Sequence, residues 1–75
     1  MTVEDVVAKT LNIPVEQVSD DTSPENTEEW DSFNGLLLAT ELEKAFKVIF
    51  SIEEVVSVKR VADIKRILGV HGITS

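Results

Sequence analysis

Apolar side chains recur along this chain in four stretches of helical spacing, separated by polar or irregular segments. Val3, Val6, Val7 and Leu11 step by three and four, which puts them on one face of a helix over residues 3–11. Thr2 stands where a hydroxyl caps that helix, and Glu4 and Asp5 place negative charge in its first turn, where the helix dipole favours it. Pro14 stops regular helix. Val15, Val18 and Ile13 are then expected to pack back onto the core from an irregular segment. From Ser19 to Glu29 the residues are almost all polar and include Pro24, which reads as a long surface loop of the kind that often carries function.

A second helix opens at Asp31 or Ser32 and runs to about Phe46. Gly35, Leu38, Ala39, Leu42, Ala45 and Phe46 form its core face. Phe33, Leu36, Leu37 and Thr40 fall at the edge of that stripe or outside it, so apolar surface is expected to stay exposed beside Ser32. Asn34-Gly35 also suits a hairpin turn, but the residues after it step in threes and fours rather than alternating, which rules the hairpin out. Ser51 and Glu54 have the spacing of a capping box, giving a short third helix over residues 52–56. Val48, Ile49 and Phe50 have strand propensity without a second strand to pair with, so residues 47–50 read as an extended linker. Val61, Ile64, Ile67 and Leu68 supply the stripe of a final helix over residues 60–68, with Lys65 and Arg66 on its polar side and Gly69 as its stop. Residues 70–75 show no pattern and are expected to form a mobile tail. The fold class is all-α, in one domain over residues 1–75, without an internal repeat.

Charge sharpens this picture. The 75 residues carry a net charge of −7. Residues 1–43 hold eleven acidic side chains against a single lysine, Lys9, whereas residues 44–75 hold six basic and three acidic ones. An acidic half of this kind repels phosphate backbones, which excludes nucleic acid as a partner and favours proteins with basic docking patches. There is no cysteine, hence no disulfide and no thiolate metal site, and the lone His71 cannot build a ligand cluster; no metal site is expected. The acidic loop from Asp20 does not fit a calcium-binding loop, because Glu25 stands where glycine is needed and Pro24 at a ligand position. Loose divalent binding to the acidic cluster stays open. No stretch approaches the length of a membrane span and the amino terminus lacks an apolar signal core, so a monomeric cytoplasmic protein without membrane contact is expected.

One serine carries the candidate chemistry. A serine at the start of a helix commonly has a structural role: Asp31 or Ser32 can cap the second helix, Glu28 and Glu29 complement its dipole, and Trp30 can pack as a staple on the first turn. A helix-opening hydroxyl is also solvent-accessible and rigidly held, as a covalent attachment point requires. A hydrolase is excluded, because Ser32 lacks the glycine-flanked elbow of a serine nucleophile and the only histidine lies near the end of the chain.

Trp30-Asp31-Ser32-Phe33, the apolar helix after it, Glu41-Leu42-Glu43-Lys44-Ala45-Phe46, the short helix after Ser51 and then Val61-Ala62-Asp63-Ile64 together resemble a freestanding acyl carrier protein over about residues 3–69. The resemblance implies an acyl-carrier-type four-helix bundle with a long first loop and a short third helix. It implies a non-catalytic protein carrying 4′-phosphopantetheine, transferred from coenzyme A onto Ser32 by a phosphopantetheinyl transferase. The arm's thiol would hold acyl groups as thioesters for loading, transferring or condensing enzymes of fatty-acid, polyketide or related specialised biosynthesis. Asp31 matches the acidic residue beside the modified serine. Glu41 and Glu43, with Phe33, Leu36 and Leu37, are the expected partner-binding residues; the two glutamates also read as a solvated face pairing with Lys44 and Lys47.

Phe33 stands where the family usually has leucine, and Leu37 where many members have an acidic residue, which implies a more apolar recognition face and a narrower partner set. Lys47 replaces the Gly or Asp often found after the helix-ending Phe, and Arg60 replaces a Ser or Thr cap. Two other readings stand beside this one: an unmodified acidic helical interaction domain, and an aminoacyl or peptidyl carrier. The latter branch usually has two glycines where Glu29 and Trp30 stand.

Overall fold

The Thr2 hydroxyl accepts a hydrogen bond from the Asp5 amide, and the Asp5 carboxylate accepts one from the Thr2 amide, so the first helix begins in a closed capping box. From this start the chain, described by a computed structural model over residues 2–73, forms α1 (Val3–Leu11), α2 (Ser32–Phe46), α3 (Ile52–Ser57) and α4 (Val61–Val70). A single 3₁₀ turn, Val15–Gln17, follows α1, and no strand occurs among the described residues. The architecture is therefore the all-α, acyl-carrier-type bundle expected. The core is built from Val3, Val6, Val7 and Leu11 of α1, Leu38 and Leu42 of α2, and Val61, Ile64 and Leu68 of α4, closed by Val18 and Trp30 from the long connection. Among the described residues no helix is long and apolar enough to cross a membrane.

Of the two candidate caps of α2, Asp31 is the one used. Its Oδ1 accepts from the Asn34 amide at 2.8 Å, which leaves Ser32 as the first helical residue. The core stripe of α2 is narrower than its periodicity predicts. Leu38 and Leu42 are buried, whereas Gly35, Ala39 and Phe46 are only partly so and Ala45 is exposed. The reason is geometric: Gly35 and Ala39 line a cavity rather than a packed interface. At the end of the helix Lys47 takes the left-handed conformation (φ 57°), and the Lys47 and Val48 amides both bond to the Glu43 carbonyl. The turn thus has the geometry glycine would give it, at a backbone cost for a side-chain-bearing residue of about 1–2 kcal/mol.

The loop from Ser19 to Trp30 is docked onto α4. Arg60 offers no side-chain cap, so α4 starts at Val61 rather than at residue 60. Its first free amides are taken by loop carbonyls instead: Val61 N–H bonds to Thr22 O and Ala62 N–H to Asp20 O, each at 3.0 Å. Thr22, the one buried polar residue among those described, holds the loop in shape, its hydroxyl accepting from the Ser19 amide at 2.9 Å. The Arg60 guanidinium meets Asp21 at 3.0 Å, and the Lys65 ammonium bridges Asp20, at 2.6 Å, and Glu4 of α1. Asp20 and Glu4 raise the Lys65 pKa, and Lys65 in turn lowers that of Glu4.

Four expectations need correcting. α3 extends to Ser57, one residue further than its capping pattern indicated, because the Ser57 hydroxyl bonds back to the Glu54 carbonyl. α4 runs past Gly69 to Val70; the turn comes at Gly72 (φ 80°), and Ile73 folds back, its amide on Leu68 O at 2.9 Å and its side chain partly buried against the core. The expected tail is therefore docked through Ile73, and residues 74 and 75 lie outside the described residues. Val15, which opens the 3₁₀ turn, stays exposed while Val18 and Ile13 pack inward. The linker expected over residues 47–50 opens with the left-handed Lys47 and then runs without helix or strand through Val48 and Phe50, which pack on the core, while Lys47 and Ile49 face solvent.

Candidate functional site

The site grows from the entry to α2. Trp30 precedes the cap residue and is 95 % buried, and its indole lies over Gly35 at the fourth helical position, the arrangement of a hydrophobic staple with a glycine as its floor. Asp31 spends its carboxylate on the Asn34 amide, and the Asn34 side chain donates to the Glu29 carbonyl at 2.8 Å. These bonds fix the backbone around residue 32. The Ser32 side chain is exposed, and no hydrogen bond engages its hydroxyl among the described residues.

Beside Ser32 opens a cavity of about 640 Å³. Leu38, Leu42, Ile64 and Ile67 form its floor, Phe50, Val55 and Val58 its far wall, and Ser32, Leu36 and Val56 its solvent-exposed rim. Ser32, Gly35 and Ala39, at steps of three and four, run as a track of small side chains from the rim along α2. A concave, mostly apolar volume of this size with few polar groups suits an apolar ligand.

The cavity wall formed by α3 is lightly held. α3 buries no residue. Its start is anchored by Glu54, whose carboxylate accepts from the Ser51 amide at 2.9 Å and from Nε2 of His71, beyond α4, at 2.9 Å. The Ser51 amide, followed by His71, keeps the Glu54 carboxyl below its usual pKa. Phe50 packs edge-on to the His71 ring, with centroids 5.9 Å apart.

The remaining candidates divide between locations. Phe33 and Leu36 are exposed (74 % and 65 %) and flank Ser32. Leu37 and Glu41 instead line a groove against α1 with Val6 and Lys9, where Glu41 also meets Lys44 at 3.9 Å. Glu43 is turned to the linker and accepts from the Phe50 amide at 2.8 Å. Ile52 and Val56, both exposed, add apolar surface on α3 that the sequence reading did not single out. Their signal was available: a four-residue step on a helix with a single turn to bury. Glu28, Glu29 and Asp31, all exposed, make the approach to Ser32 from the loop acidic. Among the described residues no group of three or more His, Asp or Glu side chains is gathered as a metal site would need.

A family model described as a phosphopantetheine attachment site matches residues 2–68. No curated protein matches the chain.

Proposed function

The chain belongs to the phosphopantetheine attachment site family, whose members carry a covalently bound 4′-phosphopantetheine, and on that premise we propose that Ser32 is the attachment residue and that the protein carries acyl groups in fatty-acid, polyketide or related specialised biosynthesis. The observation that carries this reading is the free, exposed Ser32 hydroxyl at the first turn of α2, set on the rim of the 640 Å³ apolar cavity. The residues fit the group. A phosphodiester on the Ser32 oxygen would lie at the positive end of α2, where the first-turn amides favour an anion. When bound, the group supplies a thiol that holds an acyl chain as a thioester.

The chain's own residues do the rest. Asp31 holds the first turn in shape and offers an exposed carboxylate edge to the transferase or its metal. Leu38, Leu42, Ile64 and Ile67 give an apolar acyl chain a place out of water. Phe33 and Leu36 form an apolar contact beside the attachment point, and the acidic approach through Glu28 and Glu29 steers partners with basic patches. Glu41 and Leu37 offer a second contact from the α1–α2 groove.

Incubation with coenzyme A and a broad-specificity phosphopantetheinyl transferase, followed by intact mass measurement, tests the proposal. One added phosphopantetheine is the expected result, and an unchanged mass sinks it.

A further inference from the structure

Trp30 has a feature that its structural role does not use. The side chain is 95 % buried, yet its indole N–H meets no hydrogen-bond acceptor among the described residues, and because no sealed side-chain nitrogen lacks a partner, that nitrogen must keep access to the cavity it lines. A buried indole N–H ordinarily finds a protein partner, whereas this one is left for water or for a ligand that enters the cavity.

The direction of the nitrogen is fixed by its neighbour. A Cβ at residue 35 would sit 3.3 Å from Nε1 and 3.7 Å from Cδ1 of Trp30. Gly35 thus keeps the N–H edge uncovered. Gly35 is also the middle residue of the small-side-chain track Ser32, Gly35, Ala39, so the donor lies about one helical turn along α2 from Ser32, beside that track. Beyond the donor the surroundings are apolar: Leu38, Leu42 and Ile67. A single donor at the entrance to an apolar cavity matches a ligand that is apolar at its far end and carries a carbonyl oxygen near its polar end.

The geometry points to Trp30 as a ligand-positioning residue, whose indole N–H donates to a carbonyl oxygen of the chain borne on Ser32 when that chain folds into the cavity. This rests on the proposed attachment at Ser32. The carbonyl belongs either to an amide of the phosphopantetheine arm or to the acyl thioester, and the two differ in when the bond first forms.

Trp30 is the sole tryptophan of the chain, so a uniformly ¹⁵N-labelled sample shows one indole N–H signal. That signal is recorded for the unmodified protein, for the phosphopantetheinylated protein and for its octanoyl thioester, with intact mass confirming each state. The indole proton is expected to move downfield and to exchange more slowly with solvent. If this happens on attachment of the arm, the acceptor is an amide; if only on acylation, it is the thioester. Trp30→Phe, which keeps a ring but removes the donor, is expected to speed cleavage of the octanoyl thioester by hydroxylamine roughly fivefold, the effect of losing one ordinary hydrogen bond. Confirmed loading with an indole signal and exchange rate unchanged in both loaded states overturns the role of Trp30 and leaves the attachment at Ser32 standing. Failure to load at all overturns both.

Discussion

The indole nitrogen of Trp30 lies 3.3 Å from the point where a side chain on residue 35 would begin, so Gly35 is what allows Trp30 to close over the first turn of α2. Replacing a helical glycine by alanine normally stabilises a protein by roughly 0.4–1 kcal/mol, through the unfolded chain. Gly69, with nothing within 4 Å of its would-be Cβ, is expected to show that gain in urea unfolding. Gly35→Ala is expected to show none, and to shift the tryptophan emission as the ring is pushed aside. Equal stabilisation at the two sites would contradict the packing described.

Lys65 holds the acidic loop to the body of the protein through Asp20 and Glu4. Its partners are partly exposed and screened, so Lys65→Met is expected to cost only on the order of 0.5–1 kcal/mol at neutral pH. The pH window follows from the two shifts. The raised pKa of Lys65 makes its contribution complete below the ordinary value of 10.5 and lost only as pH rises through the higher folded value. The lowered pKa of Glu4 makes its contribution complete above 4.5 and lost as pH falls through the lower folded value. The stability difference between wild type and Lys65→Met should therefore be flat from about pH 5.5 to 9.5 and shrink outside it; a difference that vanishes near pH 7 would rule the bridge out.

Glu54 ties the start of α3 to His71. His71→Ala is expected to let the Glu54 carboxyl titrate closer to 4.5, followed by carbon NMR of its side chain, and to speed amide exchange in α3 relative to α1. α3 buries no residue, so its order rests on this anchor, its capping box and the packing of Phe50 and Val58 at its two ends. Unchanged exchange in α3 would show that the box and the end packing alone hold it.

Phe33, beside Ser32, and Leu37, in the groove against α1, make the recognition surface of α2 more apolar than in carriers with leucine and an acidic residue at these places. The loaded protein is expected to be a poor substrate for a general fatty-acid synthase acyltransferase. The double substitution Phe33→Leu, Leu37→Glu should raise turnover by about tenfold, the effect of one well-placed interface residue, while stability stays within about 0.5 kcal/mol because both side chains are exposed. Equal turnover of both proteins would contradict a narrowed partner set.

What the sequence made legible was local. The Thr2 cap, the box Ser51–Glu54 and the stripe of α1 are decided within one or two turns and appear where spacing places them, and Asp5, expected only as first-turn charge, also closes a box with Thr2. The start of α4 was obscure because its cap is not a side chain at all but the carbonyls of Asp20 and Thr22, some forty residues earlier. Likewise the fold-back of Ile73 depends on Gly72 adopting a positive φ against Leu68, and the commitment of Glu43 to the Phe50 amide depends on where the linker runs. At the site, the exposure of Ser32, Phe33 and Leu36 could be read from the helical stripe. The cavity could not, because it is the gap left where Gly35 and Ala39 face the lightly packed α3.

The central claim is that Ser32 carries the phosphopantetheine arm. Its most direct test is a paired modification of wild type and Ser32→Ala with coenzyme A and a broad-specificity transferase, read by intact mass and by mapping the modified peptide. Ser32 is exposed and its hydroxyl supports no structural hydrogen bond, so the variant should fold as the wild type does. The account predicts one phosphopantetheine on the wild type, located at Ser32, and none on Ser32→Ala; equal modification of the variant, or a wild type that gains nothing, would contradict it.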